Sequence, residues 1–304
     1  MTAKKIKHLK IMLGGLLVML VLAGVLLRGQ DASVQVIIQL RVPRVLFALG
    51  GGVVLVVSAL LLQTTLRSDY LDGSMLGLAN GAELALALVN VLFARALPYR
   101  VLVGALAGGI LVVCLRVTLF KVKHSSFFLI LGGLALAMFF AAATQLLTTG
   151  GGFQGKSLAN TTWIDVWLLA IVIVVGAILL LSQWTKLDAF ALPSLQAYQL
   201  GLNERHSSFV LRLVAGLWLG AVSAVLGTVF FVGLVLVQLV KLVTQVVARQ
   251  RVGLTALLGG VVLLGADDLA HYLLPARELP TNAVLLLLTA PLILVLLKRW
   301  LHEV

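Results

Sequence analysis

The sequence predicts an all-helical, polytopic membrane protein, and three observations predict it. Hydrophobic residues make up 61% of the chain and charged residues only 11%, where a soluble domain holds about 25% charged residues; the mean hydropathy is +1.13. Apolar runs of span length recur from end to end, long enough to cross a hydrocarbon core of roughly 30 Å as helices. None of them alternates polar and apolar residues as a membrane barrel strand must. Lipid, not water, covers this surface.

The elements follow in order. Lys4, Lys5, Lys7 and Lys10 precede the first apolar run, at residues 11–27. Basic flanks mark the cytoplasmic side of a span, so the N-terminus is expected there. The run lacks a small-residue cleavage site and further spans follow it, so it reads as a retained helix, not a removed signal. A polar stretch, 28–39, is expected outside, before spans at 45–66, 75–93, 101–120, 127–148 and 163–182. Residues 186–208 then form the longest interior polar segment. Spans at 209–228, 230–243, 255–274 and 283–297 complete ten crossings. The run at 230–243 is short, which predicts a tilted or broken helix whose flanking backbone is buried in protein. Most of the 23 Lys and Arg fall on the inner side of this scheme, and Lys298, Arg299 and His302 end there too. A single membrane domain, 1–304, with both termini cytoplasmic, is the expected organisation.

Several function classes are excluded or left without apparatus. The net charge of +12 does not point to nucleic acid, because the basic residues sit in short clusters between apolar runs and not on one polar face. One cysteine, Cys114, allows no internal disulfide and no cysteine cluster for metal, and is expected to serve packing. No glycine-rich Walker loop is present, so ATP cannot bind in that manner. The five histidines are scattered, no His/Glu/Asp group has metal-ligand spacing, and no Gly-x-Ser-x-Gly turn offers a nucleophile. Neither catalysis nor a directly bound cofactor is expected.

Other residues stand out against this apolar background. Gly50, Gly51, Gly52, Gly104, Gly108, Gly109, Gly132, Gly133, Gly259 and Gly260 fall inside helical runs, where small residues let backbones approach closely, for static packing or for sliding. Glu83, Asp267 and Asp268 are costly within a membrane, at about 2.5–3.5 kcal/mol each near a span centre. Adjacent aspartates point about 100° apart on a helix. They read as a structural ion pair or helix-terminus contact, or as part of a proton or cation path. Arg41 and Arg44 flank Pro43 at a helix start, where proline is easily accommodated. They either anchor the interface or dock an acidic surface on an outside partner. In 186–208, Leu187, Phe190, Leu192, Leu195, Tyr198, Leu200 and Leu202 alternate with polar residues, and Pro193 and Gly201 break the run. That spacing predicts two short amphipathic helices at the membrane surface, serving as a linker or as a knob for a cytoplasmic partner.

Arg41-Val-Pro-Arg44 resembles the Arg-Leu-Pro-Arg motif of the FecCD/BtuC-type permeases, membrane subunits of bacterial importers for iron-siderophore, haem and vitamin B12 complexes. Gln63 with Leu76-Gly77-Leu-Ala-Asn-Gly81-Ala82 is similar to the family's next motif. Gly227 to Gly233-Leu234, Asp267, Glu278-Leu279-Pro280, Pro291 and the Leu200-Gly201 pair resemble later ones in the same order. The resemblance implies a type II ABC importer permease fold in a bacterial cell membrane, acting as a dimer with a second copy or paralogue. It implies cytoplasmic ATP-binding subunits, which carry the ATP, engaging the segment through Leu192, Leu195, Tyr198, Leu200 and Gly201. It further implies a substrate-binding lipoprotein docking outside at Arg41 and Arg44, and Gln63, Gly77, Gly81, Gly233, Asp267, Glu278 and Pro280 as motif or pathway residues.

The chain departs from the family pattern in three places. The Arg-Asn-Pro-Leu-Ala loop reads Arg67-Ser68-Asp69-Tyr70-Leu71, a Pro-His pair and a later arginine become Val237-Gln238 and Lys241, and a Gly-Glu pair becomes Pro193-Ser194. Two alternatives stand beside the importer permease. A proton-coupled secondary transporter would use Glu83 and Asp267 as carriers, and a membrane scaffold would bind partners without flux.

Overall fold

The computed structural model describes residues 3–26, 34–93, 97–118, 126–148, 158–192, 194–199, 203–244, 247–273 and 279–303, and no strand forms among them. The helices are α1 (Ala3–Leu26), α2 (Val34–Leu66), α3 (Leu78–Leu92), α4 (Arg100–Thr118), α5 (Ser126–Thr148) and α6 (Trp163–Ser182). They continue as α7 (Ser194–Gln199), α8 (Glu204–Leu226), α9 (Val232–Val243), α10 (Ala248–Tyr272) and α11 (Thr281–Glu303), with a 3₁₀ segment, Trp184–Ala191, before α7. Each of the ten expected spans overlaps one of these helices. Among the described residues, α1, α2, α5, α6, α8 and α10 are long and apolar enough to cross a membrane.

Burial sorts the helices into a centre and a rim. The apolar window of α2 is 78% buried and that of α1 only 11%, so α2 forms the axis around which the others pack. Met138 and Phe139 of α5 and Trp167, Ile171 and Ile178 of α6 point outward, as lipid-facing side chains do. Cys114, expected in packing, also lies on an exposed face, that of α4. Because lipid tails are as apolar as leucine, the hydrophobic effect does not choose which helix faces meet. Small residues choose instead. A Cβ on Gly52 would collide with the carbonyl of Gly259, locking α2 against α10 backbone to backbone. Gly104 and Gly108 of α4 meet Gly220 and Gly216 of α8 in the same manner.

Two features depart from regular spans. First, α2 begins at Val34, inside the stretch expected to be polar and external, and runs 33 residues. Pro43 does not start it. Proline withholds one backbone N–H and crowds the preceding turn, and the chain answers by widening into a π turn, Ile37–Arg41, just before it. The expected boundary at residue 45 is therefore corrected: the helix passes through the proline.

Second, α9 has 12 residues, about 18 Å at 1.5 Å per residue, well short of a bilayer core. The chain from Gly227 to Phe231 that leads into it is not helical. Phe231 caps it at a left-handed φ of 62°. Non-helical backbone at this depth survives only where protein supplies partners. Asp72 supplies them: its carboxylate accepts from the backbone of Phe231 and Leu234 as well as from Gly73. At the other end of the break, Thr228 donates to Glu83 at 2.6 Å, and Asn282 donates to the Thr228 carbonyl at 2.9 Å. Glu83 thus supports an interrupted helix.

Candidate functional site

The bundle has two chemically different ends. At one, Arg44 is 5% exposed and grips Asp267 bidentately, Nε to Oδ2 at 2.8 Å and Nη2 to Oδ1 at 2.8 Å. Thr281, the first residue of α11, adds a bond to Asp267 Oδ1 at 2.9 Å. Pro280 sits on the surface immediately before it, while Glu278 lies outside the described residues. Both arginines have partners within the bundle. The Arg44 guanidinium is engaged with a buried carboxylate. Arg41 is also buried, and its Nη1 donates to the Val25 carbonyl near the end of α1 at 3.3 Å. Asp268 turns the other way, toward Gly24 of α1. The structural ion-pair reading of the aspartates therefore fits Asp267.

A second buried pair stands at this end, which the sequence reading missed. Arg100, the first residue of α4, holds Asp165 through two bonds of 2.9 and 2.7 Å and the Asn160 carbonyl through a third of 2.8 Å. Asp165 also accepts from Thr162 N–H in a capping box at the start of α6. A Thr-x-x-Asp spacing before an apolar run is the local signal that could have drawn attention to it.

At the opposite end, the 3₁₀ segment and α7 form the two short helices expected within 186–208. Their apolar positions are not all offered outward: Leu187, Phe190 and Ala197 are buried against the bundle. Two arginines fasten the segment. Arg67 donates to the Leu192 carbonyl at 3.2 Å and pairs with Glu204 at 3.3 Å. Arg249 donates to the Trp184 carbonyl at 2.8 Å and pairs with Asp188 at 3.3 Å, while Asp188 accepts from the Arg249 N–H near the start of α10. The segment is thereby joined to the end of α2 and to the start of α10. Of the expected coupling residues, Leu192 is half-buried in this joint. The side chains of Leu195 and Tyr198, and all of Leu200 and Gly201, lie outside the described residues.

Beside the segment opens a cleft of about 910 Å³, lined by residues of α2, the turn after it, the 3₁₀ segment, α9 and α10. Here two of the three departures from the family pattern meet; Pro193 of the third lies outside the described residues. Lys241 donates to Gln63 Oε1 at 2.7 Å and to Asp69 Oδ1 at 2.6 Å, and Gln238 donates to the Asp69 carbonyl. Residues 63, 69, 238 and 241 form one connected group, so the changes are mutually consistent rather than scattered. The remaining motif residues are packing points. Gly77 adopts a left-handed φ of 74° in the turn before α3, close against Ala137 of α5. Gly81 faces Leu111 and Phe140, and Gly233 lies against Ala59 and Asp72.

The comparisons with known proteins agree with this architecture. A family model described as the FecCD transport family matches residues 6–299. The chain is 28% identical over 270 residues to the heme-iron transport system permease protein IsdF of Staphylococcus aureus strain RF122, covering 88% of this chain and 84% of that one. The same figures hold for IsdF of strain Newman. Among solved structures, a metal-chelate type ABC transporter in an inward-facing conformation superposes with a TM-score of 0.83 at 24% identity, covering 96% of this chain and 99% of that one. A more distant likeness, at a TM-score of 0.53 and 14% identity, covers 83% of this chain and 88% of PsaBC from Streptococcus pneumoniae in complex with Fab.

Proposed function

Because the chain belongs to the FecCD transport family and is the permease subunit of an ABC importer in a bacterial membrane, we propose that its cargo is a metal chelate of the iron-siderophore or haem class. The names of the similar permease and of the similar transporter support that class. In this reading the 184–199 end faces the cytoplasm, as the basic flanks of the spans support, and both termini lie there. A separate ATP-binding subunit presses on the segment, a binding protein delivers cargo on the other side, and a second permease copy or paralogue completes the pathway.

One observation carries the mechanism: Arg67 and Arg249 join the segment to α2 and α10 together. Those two helices are already locked by Gly52 against Gly259 and by Arg44 with Asp267. A push on the segment is therefore delivered to a paired rod rather than to one loose helix. Asp267 is bound into that rod and Glu83 into the break before α9, so neither is poised to carry protons. The test is ATP-driven uptake of an iron-siderophore or haem in vesicles that contain the permease and its ATPase. Arg67→Ala with Arg249→Ala should abolish uptake while the ATPase still binds. Uptake that an uncoupler stops while ATP stays high would defeat the reading.

A further inference from the structure

We propose that the cleft beside the 184–199 segment binds the phosphate group of an anionic ligand, with a phospholipid headgroup as its source. Gln63 is 2% exposed and lines the cleft, and its Nε2 has no hydrogen-bond partner. Its orientation is set, because Oε1 accepts from Lys241. The Nε of Arg251, on the cleft's α10 side, is likewise buried without a partner. Lys241 uses two of its three N–H donors on Gln63 and Asp69. Three residues with unspent N–H donors, Gln63, Lys241 and Arg251, therefore line one cavity, and what is missing is an acceptor with several oxygens.

The charge balance narrows the class. Arg67 is offset by Glu204 and Lys241 by Asp69, which leaves Arg251 as a cleft cation with no carboxylate paired to it among the described residues. That excess matches a singly charged oxyanion such as a phosphodiester. The cleft is far larger than an isolated anion needs, and lies in the range of about 300–1,000 Å³ that whole small molecules occupy. Phe190, Leu192, Val247 and Ala248 add apolar surface to its lining. Polar donors and hydrocarbon in one lining suit a lipid whose phosphate enters and whose chains stay at the edge. Basic pockets between membrane helices are suited to such headgroups.

The test uses the purified full-length permease and needs neither ATPase nor cargo, so it stands or falls apart from the transport reading. Native mass spectrometry with phosphatidylglycerol and phosphatidylcholine should find one phosphatidylglycerol retained in preference. Arg251→Gln and Gln63→Leu should each weaken retention about tenfold, the value of one charge-assisted hydrogen bond. Thermal unfolding of both variants checks that they fold, and Arg251, which is only half-buried, keeps the test usable if Gln63→Leu does not. If inorganic phosphate stabilises the wild type but not Arg251→Gln, and the lipid is not retained, the phosphate comes from solution and the site stands. Equal retention of both lipids without a phosphate response overturns the proposal, as does undiminished retention in folded variants. Variants that lose only a cytoplasmic protein partner overturn it too, and assign the cleft to an acidic side chain of that partner.

Discussion

The Arg44 end and the 184–199 end use the same chemistry to opposite effect. At the first, Arg44–Asp267 and Arg100–Asp165 are buried, and each acid accepts additional hydrogen bonds. At the second, the pairs Arg67–Glu204 and Arg249–Asp188 are each about a third or more exposed, and cleft donors remain unspent. Water screens an exposed pair, and such a pair contributes about 0–1 kcal/mol. Losing one partner of a buried pair costs roughly 3–5 kcal/mol, because the other charge is stranded. The lesson is that one end is held by its ion pairs, while the other is merely positioned by them and left open to something else.

The largest effect should come from breaking the buried end. Arg44→Ala or Asp267→Ala should each destabilise the protein by about 3–5 kcal/mol in denaturant unfolding of detergent-purified protein. The double replacement Arg44→Met with Asp267→Leu should recover most of the loss. A single-variant cost under about 1 kcal/mol would erase the contrast between the ends. Next in size, Gly108→Val should force α4 from α8 and cost about 1–3 kcal/mol. Gly14→Ala, whose added Cβ meets nothing within 4 Å, should leave the melting temperature nearly unchanged and serves as its control.

Smaller stability effects sharpen the other half of the comparison. Arg249→Ala should shift stability by no more than about 1 kcal/mol, yet should expose the bonds around residues 184–192 to protease. Protection equal to wild type would mean that the arginine does not hold the segment. The smallest effect concerns salt. Raising ionic strength from about 0.1 to 1 M shortens the screening length from about 10 to 3 Å, so the Asp69–Lys241 pair should weaken while Arg44–Asp267 does not. A melting-temperature slope with salt that persists unchanged in Asp69→Asn would contradict this.

Much of this architecture was legible because length and polarity act locally. The break before α9 follows from a run too short to cross a bilayer, and the two short helices of the segment follow from their apolar spacing and Pro193. The cost of a membrane carboxylate marked Asp267 as needing a partner. What could not be read was the partner, because Arg44 is 223 residues away and nothing in its own neighbourhood distinguishes pairing from docking. The start of α2 was misread because a proline at a helix start and a proline accommodated by a π turn present the same local sequence. Asp72 escaped notice because its Asp-Gly-Ser setting reads as an ordinary turn, and its role appears only when α9 is brought against it. Asp188 and Arg249, 61 residues apart, carry no shared pattern at all.

The order in which the two buried pairs are completed follows from their separations along the polypeptide. Arg100 and Asp165 are made within 65 residues of each other, whereas Arg44 precedes Asp267 by 223. A ribosome feeding this chain into the bilayer delivers the guanidinium of α2 long before its carboxylate exists. Even at a span centre an arginine is tolerated during insertion at a cost of about 2.5–3.5 kcal/mol, and Arg44 lies off-centre, toward the N-terminal end of its helix. Truncation before α10 therefore removes more than a helix: it leaves that charge without its carboxylate, and quality control should recognise the fragment by it.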